Sequence, residues 1–192
     1  FFSGKSKSLK AGEYFFFKNS SNKVVLKKLY LNEVKLYKFT IPECYSNKQI
    51  FSKLKKHFPL FKGDENFSEG DFFPSTYHFS KDTKVLTLLN MIRNEANNKF
   101  TELYTDYKDN TKDILKSKKE VLILASIIEA ESKLEKDKRK IAAVFFNRLK
   151  LGMKLQSDPT VIYGINKAVY ETKLLNKKDL LINHKWNTYK IS

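Results

Sequence analysis

Residues 125–164, ASIIEAESKLEKDKRKIAAVFFNRLKLGMKLQSDPTVIYG, decide how this chain is read. They open inside an apolar run, VLILASII (121–128), which predicts a helix over 117–132. A run that is apolar on every side predicts a buried helix. Glu129 closes the run. A charged stretch then leads into an amphipathic helix predicted over 137–151, with Ile141, Val144, Phe145 and Leu149 inward. Gly152 is placed just past its end, where a left-handed residue terminates many helices. A polar segment follows, Gln156-Ser157-Asp158-Pro159-Thr160.

A carboxyl at the end of a buried helix, with a second helix folding back over it, is desolvated and its pKa raised. That is what a general acid working near neutrality requires. With the amide of Asn147 and the groups of 156–160 nearby, Glu129 is suited to acid/base chemistry on a sugar. The other reading makes Glu129 a helix-end glutamate in solvent, Asn147 a surface amide and 156–160 a turn and cap. Glu131 lies about 200° round the helix from Glu129, so both do not face one cleft. Glu135 and Asp137 sit in a charge run and read as solvated. Trp186-Asn187-Thr188-Tyr189 offers aromatic surface with an amide between, either a sugar contact or a core edge.

Working outward, the chain reads as α+β. GEYFFFK (12–18) and VKLYKFT (34–40) read as strands. Ser20-Ser21-Asn22 offers a cap to a short helix with Val24, Val25, Leu26 and Leu29. Residues 42–45 form a turn, and Ser46 caps a second short helix with Ile50, Phe51 and Leu54. Residues 1–58 are thus expected to form a small strand/helix module. Residues 59–192 form a mainly helical α+β domain that begins with a linker over 59–74. Thr83 caps a long helix with Val85, Leu86, Leu89, Ile92, Ala96, Phe100 and Leu103 on one stripe, and a Lys/Asp-rich connector occupies 106–112.

The chain has 192 residues, enough for one domain or for a small module and a larger one. Its 41% hydrophobic and 14% aromatic content argues against wholesale disorder. The net charge of +16 favours an acidic partner such as nucleic acid, anionic lipid or an anionic cell-wall polymer. Lysine used simply to solvate the surface gives the same number. The arginines are only Arg93, Arg139 and Arg148, whereas nucleic-acid readers lean on Arg, so no nucleic-acid partner is expected. Cys44 is the single cysteine, so no intrachain disulfide forms. No run of 18 apolar residues is present. The start at Phe1 suggests an interior fragment from which an upstream membrane anchor has been removed. His57, His78 and His184 are far apart, and HExxH, CxxC, Walker A and GxSxG patterns are missing, so neither a metal nor a cofactor is expected.

These residues resemble the YceG-like family, the MltG-type endolytic murein transglycosylases. The resemblance runs from about Leu9 to Tyr189. It is densest in ASIIEAES, in AAVFFNRLKLGMKLQSDPTVIYGI (142–165) and in WNTY (186–189). GDFFPSTYHF (70–79) is similar to the family's Gly-x-x-x-Pro-Asp-Thr-Tyr segment, and KAGEYFF (10–16) to its N-terminal element. The resemblance implies cleavage of the β-1,4 bond between N-acetylmuramic acid and N-acetylglucosamine in peptidoglycan glycan strands, leaving a 1,6-anhydro-muramyl end. It implies Glu129 as the general acid/base, with Asn147, Gln156, Ser157, Asp158, Asn187 and Tyr189 as substrate-binding or acid-orienting groups. It also implies an N-terminal module similar to LysM domains and cell-wall synthases as partners. The protein would be anchored in the cytoplasmic (inner) membrane by an N-terminal helix absent from this chain, with its catalytic domain in the periplasm. Cys44 stands where the family usually has Gly, and Ser75 where it commonly has Asp. The family's sequence continues past Asn-Thr-Tyr, so the C-terminal part of the domain is expected to be missing. A non-enzymatic peptidoglycan-binding scaffold of cell-wall synthesis is the alternative.

Overall fold

The computed structural model describes residues 9–64, 66–106, 113–168 and 175–191. Residues 107–112 of the expected connector lie outside this set. In order come α1 (Asn22–Tyr30), β1 (Tyr37–Ile41), α2 (Asn47–Leu54), β2 (Ser75–Phe79), α3 (Val85–Asp106), α4 (Lys118–Glu131), α5 (Glu135–Lys150) and α6 (Asp158–Asn166). A 3-10 turn at Asp179–Leu181 follows. Among the described residues no helix is long and apolar enough to cross a membrane.

β1 and β2 pair antiparallel, with Phe39 opposite Tyr77 and Tyr37 opposite Phe79. Alternation turns Phe39, Ile41, Tyr77 and Phe79 to one side, where they are buried. Ile50 and Leu54 of α2 and Leu88, Leu89 and Ile92 of α3 close that side. A fully buried side chain of this size contributes roughly 1.5–3 kcal/mol, so these contacts weld both helices to the sheet. Phe61, Phe67 and Phe72 enter the same core. The stretch expected to be a linker therefore supplies three buried rings, and one core runs across position 58, where the sequence reading divides the chain. β2 was not expected as a strand, although STYHF has the required alternation.

α2 begins with a capping box between Ser46 and Gln49. The turn before it holds Cys44 at φ +58°, the left-handed conformation that glycine adopts without strain. GEYFFFK is not a strand. Only Tyr14 bridges to Val34, and Lys28 takes the carbonyl of Phe15 at 3.0 Å. α1 buries none of its residues. Glu13 ties this region down, receiving Lys81 at 2.7 Å and the Tyr37 hydroxyl at 2.6 Å. Those two hydrogen bonds lead the causes that lower its carboxyl to about 2. α3 begins at Val85, two residues after Thr83, whose hydroxyl accepts from the Ser80 amide at 3.1 Å. On α3 the buried stripe is Leu88, Leu89, Ile92 and Ala96, while Leu86 and Leu103 are exposed.

The second core joins α4 and α5 through Leu115, Leu124 and Phe145, with Val121, Ile127, Ile128, Ile141 and Leu149 against them. The helical hairpin expected from sequence is present, but α4 is not a buried helix. Leu124 is its one buried residue, and Ile123 is 50% exposed. Among the described residues α5 and α6 pack against one side of α4. Val144 also faces water. α6 was not expected. Its start carries Ser157 at the N-cap, Asp158 in the first turn and a proline at the helix start, all of which favour helix initiation.

Candidate active site

α4 ends at Glu131 and α5 begins at Glu135. So short a turn folds the first turn of α5 back on the last turn of α4. Lys138 Nζ thereby reaches Glu129 Oε2 at 2.7 Å and Glu135 Oε2 at 2.9 Å. The Glu129 side chain is 32% exposed, that of Lys138 20% and that of Glu135 88%. The Lys138 ammonium is held above its ordinary range, first by the hydrogen bond to Glu129 and then by that to Glu135. The desolvated acid expected at Glu129 is therefore a half-buried, ion-paired carboxylate. Among the described residues much of the outer side of α4 is open, with Ile123 50% exposed.

Glu131 leaves α4 in another direction, as the helical angle requires, but it does not simply face solvent. The hydroxyl of Ser157, which is wholly buried, donates to Glu131 Oε1. The carboxylate bonded to the polar segment 156–160 is thus Glu131.

That segment is tightly held. Gln156 has φ +53°, a conformation costing a non-glycine residue roughly 1–2 kcal/mol. Its amide donates to the Thr188 carbonyl at 3.1 Å. The Ser157 amide donates to Thr188 Oγ1 at 2.9 Å, and Thr160 Oγ1 donates to the Ser157 carbonyl at 2.6 Å. The hydroxyls of Thr160 and Thr188 lie 2.9 Å apart. Arg148 of α5 donates to the Leu155 carbonyl. The Tyr189 hydroxyl donates to Asp158 Oδ1 at 2.6 Å. That bond leads the causes, with burial next, that push the Tyr189 phenol up to about 12.

The expected substrate-binding residues separate into two kinds. Gln156 and Asp158 are exposed and Tyr189 is half-buried. These three form an accessible polar edge. Ser157 and Asn187 are wholly buried and engaged. Asn187 donates to the carbonyls of Leu180 and Ile182 at 2.9 and 2.7 Å and accepts from the Tyr189 amide at 2.9 Å. Both therefore shape the site from beneath. Asn147 stands exposed on α5 and takes no part in these bonds. Trp186 is not an open platform. Lys167 Nζ lies 3.1 Å from its ring centroid, Lys185 Nζ 4.5 Å, and Tyr163 packs edge-on at 5.6 Å.

Beneath this layer the His184 ring presses on Gly164, where an added Cβ would lie 2.0 Å from it. The Trp186 amide donates to His184 Nδ1 at 3.3 Å, and His184 Nε2 is buried without a hydrogen-bond partner among the described residues. Among those residues no group of His, Cys, Asp and Glu is arranged to hold a metal ion.

The sequence reading set Glu131 apart from the cleft of Glu129 and gave no site role to Lys138, Arg148, Thr160 or Thr188. For Lys138 the available signal was the hairpin itself, which sets the first turn of α5 opposite Glu129. Thr160 and Thr188 sat inside quoted segments, but their mutual bond spans 28 positions and has no local trace.

A family model described as the YceG-like family matches residues 1–192. The chain is similar to the "Endolytic murein transglycosylase" of Bacillus subtilis, with 36% identity over 163 residues, covering 76% of this chain and 43% of that protein. It is similar to the protein of the same description from Streptococcus pneumoniae, with 29% identity over 124 residues, covering 64% of this chain and 22% of that one. The chain spans less than half the length of these relatives. A solved structure of a yceG-like protein from Listeria monocytogenes matches it with a TM-score of 0.62 and 24% identity, over 88% of this chain and 64% of that one. At that identity the likeness speaks for the fold. Matched by the family model from end to end and sharing this mixed α/β fold, the chain belongs to the YceG-like family.

Proposed function

We propose that this chain is the part of an endolytic murein transglycosylase that carries the catalytic acid, Glu129. The observation that carries the reading is the disposition of the acids at the α4–α5 turn. Glu129 is half-buried and oriented by Lys138, Glu131 is occupied by Ser157, and Glu135 lies out in solvent. A glycoside hydrolase needs a second carboxylate to activate water or to attack the sugar. A lytic enzyme does not, because the 6-hydroxyl of the muramyl sugar attacks C1. Glu129 then gives its proton to the departing glycosidic oxygen and takes the proton of that hydroxyl. The products are a free 4-hydroxyl on N-acetylglucosamine and a 1,6-anhydro-muramyl end. Gln156, Asp158 and Tyr189 form the polar edge that positions the sugar.

The relatives' description as murein transglycosylases supports the substrate class, peptidoglycan glycan strands. A LysM-like glycan-binding role for the N-terminal module belongs to the same proposal, supported by the exposed rings of Phe15 and Phe17. So do an anchor in the cytoplasmic membrane, a catalytic domain in the periplasm and cell-wall synthases as partners.

The test is the type of chain end produced. Purified uncrosslinked glycan strands incubated with the protein should yield 1,6-anhydro-muramyl ends by mass spectrometry. New reducing ends would mark a hydrolase, and binding without cleavage a scaffold. Either outcome would overturn the proposal.

A further inference from the structure

Lys138 bridges two acids at the α4–α5 turn. Its side chain is 20% exposed, and its ammonium sits between two carboxylates, Glu129 at 2.7 Å and Glu135 at 2.9 Å. The two acids differ sharply, since Glu135 is 88% exposed and Glu129 only 32%. We propose that Lys138 is a positioning residue of this site, fixing the Glu129 carboxylate and setting how readily it takes up the proton it must donate. The proposal rests on Glu129 being the general acid.

An ammonium at hydrogen-bond distance stabilises a carboxylate and opposes its protonation. Leaving-group departure needs Glu129 protonated, whereas deprotonation of the 6-hydroxyl needs it ionised. Lys138 favours the second state, so it must loosen its hold for the first. Glu135 provides the alternative partner. Three positions along the same helix, it keeps Lys138 paired when Glu129 is released. One ammonium thus bridges both carboxylates, and its charge is shared between the acid and Glu135.

Other charged groups lie on the elements packed around Glu129. α6, which also packs on α4, carries Asp158, bound by Tyr189, and at its end Lys167, which lies over Trp186. On α4 itself Glu131 is bonded to Ser157. The turn between α4 and α5 adds Lys133, whose charge is present in every variant considered below.

The experiment is the pH profile of kcat/KM on glycan strands, whose alkaline limb reports the essential acid of the free enzyme. Lys138→Met should move that limb upward by about one pH unit, roughly a tenfold gain in rate at pH values above the wild-type limb. Lys138→Arg keeps the cation and should restore the wild-type limb. Glu135→Gln removes a like charge and the alternative partner, so it should move the limb downward, by less because Glu135 is exposed. Circular dichroism and thermal melts confirm that each variant is folded. If Lys138→Met fails to fold, the opposite displacement by Glu135→Gln and the wild-type limb of Lys138→Arg remain decisive. A limb unmoved by Lys138→Met or by Glu135→Gln overturns the inference while leaving Glu129 as the acid. Full activity of Glu129→Gln would instead remove the reading on which it rests.

Discussion

The buried hydroxyl of Ser157 donates to the carboxylate of Glu131, tying the end of α4 to the cap of α6. The bond crosses 26 positions and joins the two segments that hold the candidate site together. Removing the acceptor leaves a buried hydroxyl without its partner, which costs about 1–3 kcal/mol. Glu131→Ala should therefore lower the melting temperature by roughly 2–4 °C per kcal/mol lost. It should also reduce turnover, because Asp158 follows Ser157 directly and shares its displacement. Glu131→Gln keeps an acceptor oxygen and should retain most of both properties. Equal melting temperatures for Glu131→Ala and wild type would show the bond to be incidental.

The contact between Gly164 and His184 gives a second expectation. A methyl group at position 164 would enter the space of the His184 ring. Overpacking of this kind costs about 1–3 kcal/mol, and the displaced ring would disturb the backbone of Trp186 to Tyr189. Gly164→Ala should lower the denaturation midpoint in urea, and Gly164→Ala combined with His184→Ala should recover part of the loss. Additive losses in the double variant would mean that the two residues are not in contact.

Glu13 makes the N-terminal region sensitive to acid. Its carboxyl is lowered to about 2 from an ordinary 4.5, chiefly by hydrogen bonds from Lys81 and Tyr37. A depressed carboxyl contributes stability that is complete above its unfolded value and is lost as pH falls through the folded one. Attachment of residues 13–37 should thus hold at pH 5 and weaken between about pH 4.5 and 2. Amide exchange at Lys35, which donates to the Glu13 carbonyl, reports it. Glu13→Gln should abolish the pH dependence of that exchange over the same window. An unchanged dependence in that variant would place its origin elsewhere.

What the sequence disclosed depended on the range of each interaction. The α4–α5 hairpin, the Ser46 cap and Gly152, at φ +64°, were legible because helical period, capping and chain reversal are local. Cys44, which stands where the family usually has Gly, does hold a left-handed backbone at φ +58°. β2 and α6 were overlooked in segments dominated by turn residues, although STYHF alternates and Ser157-Asp158-Pro159 announces a helix start. The burial of α4 was overestimated because an apolar composition does not reveal how many neighbours arrive to cover it. The division of labour among the polar residues was not legible either. Asn187 and Asp158 belong to the same polar signature, yet one is a buried brace and the other an exposed acceptor. The difference comes from contacts with residues 180, 182 and 189, which only the folded chain brings together.

The central claim is that one carboxyl, Glu129, performs both proton transfers of a lytic cleavage. Its most direct test is the rate at which 1,6-anhydro-muramyl ends accumulate when purified glycan strands meet wild-type protein or Glu129→Gln. Gln keeps the shape and a hydrogen-bond acceptor for Lys138 but neither donates nor takes up a catalytic proton. Loss of one general acid/base typically costs ~10²–10⁴ in rate, so the variant should melt near the wild-type temperature and release anhydro ends at least a hundredfold more slowly. A folded Glu129→Gln protein that releases them at the wild-type rate would contradict the account.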